Sequence, residues 1–346
     1  MNTFKVGDWV EVRSKMEIFA TLDEKGRLDS MPFMPEMLQF CGQRLRVHKS
    51  AHKTCDTVFP IRGRRVDSAV HLDTRCSGEA HGGCQAGCLI FWKEAWLKPV
   101  DGAAAATPVR IEHAASSEPD PIDSALQGCT TVPGEVDANG PRYVCQATQL
   151  PYATKDLAWW DLRQYVEDYR SGNVGVWRLF QGWCYSTYDN LNLLGIGLGR
   201  PLRWIYDKLH PLWGGTLYPR KAGSIPVGQK TPVVSLDLQP GELVRVKRHE
   251  DILATLDQRS MNRGLYWDAE MVPYCGGTYR VLKRVTRIVD EKTGRMLQMK
   301  TPCIILDNVY CQARYSACRM FCPRGIYSYW REIWLERVAP GAADAL

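Results

Sequence analysis

The sequence predicts a mainly β protein with a helical insert: two copies of one small barrel-like domain, joined by linkers and a short helical region. Three observations predict it. The first hundred residues recur in the last hundred, and self-similarity at long period is the signature of a repeated folding unit. Both copies alternate apolar and polar residues with period two, as half-buried strands do. The 135 or so residues between them read differently, with Pro/Ser/Ala-rich tracts and then tryptophan-rich helical spacing.

The repeat is read residue by residue. KVGDWVEVRSKMEIFATLDEKG answers to PGELVRVKRHEDILATLDQRS, PEMLQFCGQRLRVHKS to AEMVPYCGGTYRVLKR, and FWKEAWLKPV to SYWREIWLERV. Gly7 recurs as Gly241 and Cys88 as Cys322, both at an offset of 234, with one single-residue slip between; a four-residue insertion then places Trp92 opposite Trp330. The organisation predicted is a first copy over 1–100, a flexible linker over 101–142, a tryptophan-rich helical or irregular region with a second linker over 143–235, and a second copy over 236–340.

Each copy opens on a Gly/Pro turn and a strand, Trp9 to Val12 or Leu243 to Val246. Strand-like runs follow at 44–48 and 279–282, then at 70–72 and 304–306, and an aromatic segment ends each copy at Trp96-Leu97 or Trp334-Leu335. The opening GDWVEV resembles the first strand of SH3-like barrels, including those of nitrile hydratase beta subunits. The likeness covers about ten residues and implies a fold alone. The whole unit, through its paired EM…CG, its cysteine triplet and WREIWL, resembles uncharacterised bacterial Cys-rich proteins with a duplicated SH3-like domain found in biosynthetic gene neighbourhoods. That resemblance implies no activity.

Composition sets limits. The chain has 346 residues, 44 Lys+Arg against 38 Asp+Glu, a formal charge of +6, and 45% hydrophobic residues. Such content supports real cores, and the small charge excess does not indicate a nucleic-acid binder. The N-terminus lacks the apolar run of a secretory signal. Residues 179–199 carry only Asp189 as a charge but also Gln, Ser, Thr and Asn, which reads as a buried or interfacial segment. A cytoplasmic protein is expected, and there thirteen cysteines are more readily metal ligands or redox groups than disulfides.

Eight of the thirteen fall into two matched sets. Cys41, Cys76, Cys84 and Cys88 follow C-x34-C-x7-C-x3-C; Cys275, Cys311, Cys318 and Cys322 follow C-x35-C-x6-C-x3-C. Four thiolates suit zinc or an iron–sulfur cluster, and the expectation is about two such sites per chain. Burial of small thiols carried along by the repeat is the ordinary alternative. Neither copy has a C-x2-C knuckle. Cys55, Cys129, Cys145, Cys184 and Cys303 have no counterpart and read as ordinary thiols.

The loop at 76–88 is glycine-rich and carries His81, whereas the second copy has Tyr315, Arg319 and Phe321 there. His81, with Cys55, is an auxiliary ligand candidate, as are Glu36 and Glu270, which precede each CG. Salt bridges, loop hydrogen bonds and solvated loop positions are the bland alternatives.

Between the copies, Leu162, Tyr165, Val166 and Tyr169 fall at helical spacing, and RPLRWIYDKLH reads as a second helix. The central tryptophans and arginines admit core packing, peripheral membrane contact through 177–213, or base stacking, with core packing the ordinary use. No P-loop, dinucleotide fingerprint, HExxH or G-x-S-x-G motif occurs, so enzyme activity is left open. The functional expectation is a metal-binding protein whose lobes form a cleft for a protein or small molecule. A metal-dependent or iron–sulfur biosynthetic enzyme, with the active metal in the first copy, and a peripheral membrane scaffold are the alternatives.

Overall fold

The computed structural model describes residues 3–59, 62–100, 120–138, 140–193, 199–213, 216–316 and 318–338. Helix and strand each take about 28% of the chain, with several antiparallel sheets, one of them a half-barrel. The expectation of a mainly β chain is corrected to a mixed one. The helical share comes from five helices between Pro121 and Leu209 and from short helical turns inside both terminal regions.

Two compact units are present. The first holds Met1–Leu179 together with Arg287–Gln298 and Phe321–Gly325; the second holds Phe180–Thr286, Met299–Met320 and Ile326–Leu346. The units therefore do not follow the boundaries of the sequence repeat.

The first unit is built on a five-stranded antiparallel sheet in the order Trp92–Lys93, Ala69–Leu72, Arg44–Ser50, Trp9–Val12, Leu97–Pro99. In the opening strand Val10 and Val12 are buried while Trp9 and Glu11 are half-buried, so the alternation read in the sequence is the face pattern of the sheet. Ser14 and Glu17 form a reciprocal capping box on the helix Lys15–Phe19 that follows. Phe33 meets Trp96 edge-on at 5.2 Å and Trp92 at 6.3 Å in the core. Trp96 Nε1 donates to Thr21 Oγ1 at 3.2 Å, which satisfies the indole where it would otherwise be buried and unpaired.

A four-stranded sheet runs in the order Met296–Leu306, Thr278–Val289, Leu243–Val246, Leu335–Arg337, and its residues 299–306, 278–286, 243–246 and 335–337 belong to the second unit. Trp267 meets Trp334 edge-on at 5.1 Å and Trp330 at 5.7 Å. Trp334 Nε1 donates to Thr255 Oγ1 at 2.9 Å. Strand register recurs at the sequence offsets: Val10 opposes Leu45 as Val244 opposes Tyr279, and Val12 opposes Leu97 as Val246 opposes Leu335.

Of the stretch read as a flexible linker, 101–119 lies outside the described residues. Residue 139 lies outside them too, and the rest forms the helix Pro121–Gly128 and a hairpin of Thr131–Asp137 with Gly140–Tyr143. Asp120 caps that helix by accepting from Ile122 N at 2.8 Å, and Pro121 takes the first turn. Lys15 pairs with Asp120 and Asp123. Asp-Pro before Ile122 was a helix start read as linker composition.

The helix Arg163–Arg170 is turned over relative to its apolar stripe. Leu162, Val166 and Tyr169 are exposed, and Gln164, Glu167 and Asp168 are buried. Ion pairing overrides the hydrophobic pattern here: Lys53 Nζ reaches Asp168 Oδ2 at 2.5 Å, and Arg65 grips Glu167 at 2.7 Å. Core packing is likewise not the role of Trp159, Trp160, Trp177, Trp183 and Trp204, all of which are exposed. No helix among the described residues is long and apolar enough to cross a membrane.

Candidate metal centre

The loop at 76–88, in the first unit, folds on its own backbone. Cys76 N donates to Cys88 O at 2.9 Å, and Gly83 N and Cys84 N both donate to Gly78 O, at 2.9 and 3.2 Å. Gly78 has φ +77°, and a Cβ there would lie 1.9 Å from Cys84 O. Only glycine permits that approach. Arg75 ties the far side by donating to Gly87 O at 2.9 Å and Gly325 O at 3.1 Å.

The loop closes over a cavity of about 30 Å³ walled by Cys76, His81, Cys84, Cys88, Cys145 and Arg324, among others. A cavity needs roughly 10–15 Å³ for one water, so this one suits a single ion or one or two waters. Three of its thiols are those expected from the sequence. The fourth, Cys145, is the residue before the helix Gln146–Ala153. Gln146 locks this seam by accepting from Phe91 N and donating to Phe91 O and Pro32 O.

His81 is buried, with Nε2 3.0 Å from Val144 O and Nδ1 2.8 Å from Glu36 Oε1. A carbonyl only accepts, so Nε2 carries a proton. Nδ1 then faces a carboxylate oxygen at hydrogen-bond distance, so a proton lies between them in this arrangement. Ala80 N also donates to Glu36 Oε1 at 3.2 Å, while Glu36 Oε2 is buried without a hydrogen-bond partner among the described residues. Ligand atoms of Glu36, Cys76 and His81 lie within 4.8 Å of one another, the one such group among the described residues.

Electrostatics follows from burial. Desolvation opposes the charge on Glu36, yet the His81 hydrogen bond and charge hold its carboxyl below the usual range. Desolvation pushes the Cys76 thiol far up, with the Glu36 carboxylate adding to it. Burial raises Cys88 to about 12 and Cys145 to about 11. Such thiols are protonated at neutral pH and do not suit a thiolate nucleophile; a bound metal deprotonates a coordinating thiol outright. Cys84 Sγ accepts a hydrogen bond from Val289 N at 3.3 Å. Arg324, also buried, pairs with Glu291 at 2.8 Å, and the two stand close enough to Cys88 to affect its ionisation.

The remaining candidates are placed elsewhere. Cys41 does not line the cavity. It is buried in the hydrophobic core, where burial raises it to about 11 and Lys15 and Asp123 are its charged neighbours. Cys275, Cys311 and Cys318 belong to the second unit and Cys322 to the first. Burial alone lifts Cys275 to about 12, and Cys311 N donates to Ile326 O at 2.7 Å. Cys55 N donates to Cys322 Sγ at 3.1 Å within the first unit. Glu270 is a loop cap: it accepts from Arg314 N at 2.9 Å and Tyr315 N at 2.5 Å, and burial pushes its carboxyl up. None of the thirteen cysteines, all among the described residues, is in a disulfide. Cys145 lies outside the repeat, so no matched spacing in the sequence points to it.

No protein-family model matches the chain, and no curated protein matches it.

Proposed function

We propose that the chain is a metal-binding protein with one structural zinc site in its first unit, held by Glu36, Cys76 and His81, with Cys145 or Cys88 completing the donor set. The observation that carries the reading is the facing of His81 Nδ1 and Glu36 Oε1 at 2.8 Å beside a buried thiol. Zinc in place of that proton would bind Nδ1, whose tautomer Val144 O fixes, a Glu36 oxygen such as the unpartnered Oε2, and the neighbouring Cys76, once the 2.8 Å contact opens to the spacing of tetrahedral ligands. A histidine ligand whose other nitrogen donates to a backbone carbonyl is the usual second-shell arrangement. Zinc takes Cys, His and carboxylate together, whereas an iron–sulfur cluster is held mainly by thiolates. Bound zinc would close the loop at 76–88 onto Glu36 and so contribute to folding.

We also propose that the two terminal regions are duplicated SH3-like domains. The recurring strand register, the Thr21–Trp96 and Thr255–Trp334 hydrogen bonds and the Glu36 and Glu270 loop caps support this. On that view only the first copy kept or acquired a metal.

The test is elemental analysis of the purified chain and of variants. One zinc per chain is expected, lost in Cys76→Ser and His81→Ala and retained in Cys41→Ser and Cys275→Ser. Two metals per chain, or loss in the Cys275→Ser chain, would restore the two four-cysteine sites in place of this one. Iron with sulfide would replace zinc by a cluster. No metal after purification, and none taken up from added zinc, would leave a proton between His81 and Glu36 and remove the function.

A further inference from the structure

The second unit carries a surface that its own fold does not use. The helix Val176–Leu193, from Phe180 onward, and the helix Gly199–Leu209 both belong to it. Each turns tyrosine inward. Tyr185 and Tyr206 are buried with Tyr218 and Tyr315 in one aromatic cluster, with Tyr188 packed against it. Their other sides are aromatic and aliphatic and face solvent: Phe180 is 51% exposed, Trp183 66%, Trp204 63% and Leu212, just beyond, 79%. Phe180 and Trp183, three residues apart, lie together at 6.4 Å.

The charges on these helices are sorted by sign. Arg203 and Lys208 are exposed, with Lys208 Nζ 6.0 Å from the Trp204 ring. The acids are withdrawn: Asp189 is buried, accepting from Tyr218 OH at 2.9 Å, and Asp207 accepts from Tyr218 N at 2.6 Å and pairs with Lys221. Tryptophan with lysine and arginine is the chemistry of a membrane interface carrying negative headgroups. Indole rings sit at headgroup depth and long cationic side chains extend their charge to phosphate, while the two acids of these helices, Asp189 and Asp207, are engaged by Tyr218 and Lys221.

We propose that the second unit docks on the surface of a bilayer containing anionic phospholipid, through Trp183, Trp204 and their neighbours, with Arg203 and Lys208 on the headgroups. Since no described helix is fit to cross a membrane, the contact lies in the interface. It is independent of the metal centre.

Flotation of the full chain with liposomes tests it, using phosphatidylcholine alone and phosphatidylcholine with about a third phosphatidylserine. Binding to the anionic vesicles is expected, with little to the neutral ones, and weakening as salt is raised. Trp183→Ser combined with Trp204→Ser should lower the partition coefficient at least about tenfold. Lys208→Glu should lower it by about fivefold or more. Both positions are surface-exposed, and circular dichroism matching the parent checks that the variants fold. Three results would overturn the proposal: no flotation with anionic vesicles, equal flotation with neutral ones, or undiminished flotation of the folded double variant. A fourth would assign the face to a second copy of the chain: a dimer in solution that the tryptophan variant dissociates, without flotation of the parent.

Discussion

Zinc uptake at the proposed centre should depend on pH with a slope that counts its thiol ligands. The perturbation is a pH change from 7.5 to 8.5. Over that range the metal-free thiols are protonated, since burial pushes Cys76 far up, Cys88 to about 12 and Cys145 to about 11. Glu36 is held below the ordinary carboxylate range and has no proton of its own to release. Each thiol that becomes a ligand must lose a proton, so each contributes about tenfold per pH unit to the apparent association constant, about 1.4 kcal/mol. The proton between His81 and Glu36 adds up to one more. A site with Cys76 as its sole thiol should therefore gain about ten- to a hundredfold over the unit, and one with Cys145 as well about a hundred- to a thousandfold. Comparing the parent with Cys145→Ser removes the shared histidine contribution. A slope smaller by one identifies Cys145 as a ligand, and an unchanged slope assigns the fourth place to Cys88 or water. The assay is competition against a chromophoric zinc chelator, with proton release recorded in dilute buffer. Zinc bound with no proton release and no pH slope would mean that no thiol coordinates it, and the reasoning from Cys76 would fail.

Gly78→Ala should cost the first unit stability and abolish zinc uptake, because its Cβ would meet the backbone carbonyl of Cys84 at 1.9 Å in a positive-φ position; unchanged urea denaturation and zinc content would contradict the loop geometry. Asp168→Asn and Lys53→Met should each destabilise by about 3–5 kcal/mol, since each strands a buried partner. Asp168→Leu with Lys53→Met should cost much less than the single losses added together, and additive losses in urea titrations would refute the coupling. His71 is fully buried, and desolvation lowers its pKa to about 3. The folded ring stays neutral while the unfolded chain binds a proton below about 6.5, so stability is fully present above that pH and falls by about 1.4 kcal/mol per pH unit down to about 3. His71→Asn should reduce that slope by one proton in denaturation midpoints taken between pH 6 and 4, and an unchanged slope would refute the assignment.

What the sequence made legible was whatever the repeat carried. Period-two alternation placed Val10 and Val12 inward, and the offset of 234 paired elements that share strand register. The loop at 76–88 and His81 are legible too, through glycine density and through the histidine that stands where the second copy has Tyr315. Repeat matching singles out Cys41 and Cys275 as well, and neither lines the cavity under the loop at 76–88. Cys145 and Val144 O reach the site from the hairpin and helix outside the repeat, and no spacing rule links them to Cys76. The helix Arg163–Arg170 failed for another reason. Its hydrophobic stripe was real, but partners distant in sequence, Lys53 and Arg65, claimed its acids for the interior. Periodicity finds an amphipathic helix and cannot say which face has a partner.

The same logic explains why Glu36 and Glu270, alike in sequence, do different work. Each accepts a backbone N–H from the cysteine loop of its own region, Ala80 N or Arg314 N. At Glu270 the second donor is another backbone amide, Tyr315 N, and Ser316 Oγ lies 3.5 Å away, so the carboxyl is absorbed in closing the loop. At Glu36 the second neighbour is an imidazole that has already spent its other nitrogen on Val144 O, and Oε2 is left unpaired. On the proposed reading, a loop carrying His81 and extra glycines in place of Tyr315 makes a ligand set of a loop cap only together with Val144 O and the unpartnered Glu36 oxygen. If the two regions descend from one sequence, as we propose, placing a histidine at Tyr315 should not create a zinc site. Among the described residues the Tyr315 hydroxyl meets Thr216 Oγ1 and not a carbonyl, and Glu270 has no unpaired buried oxygen.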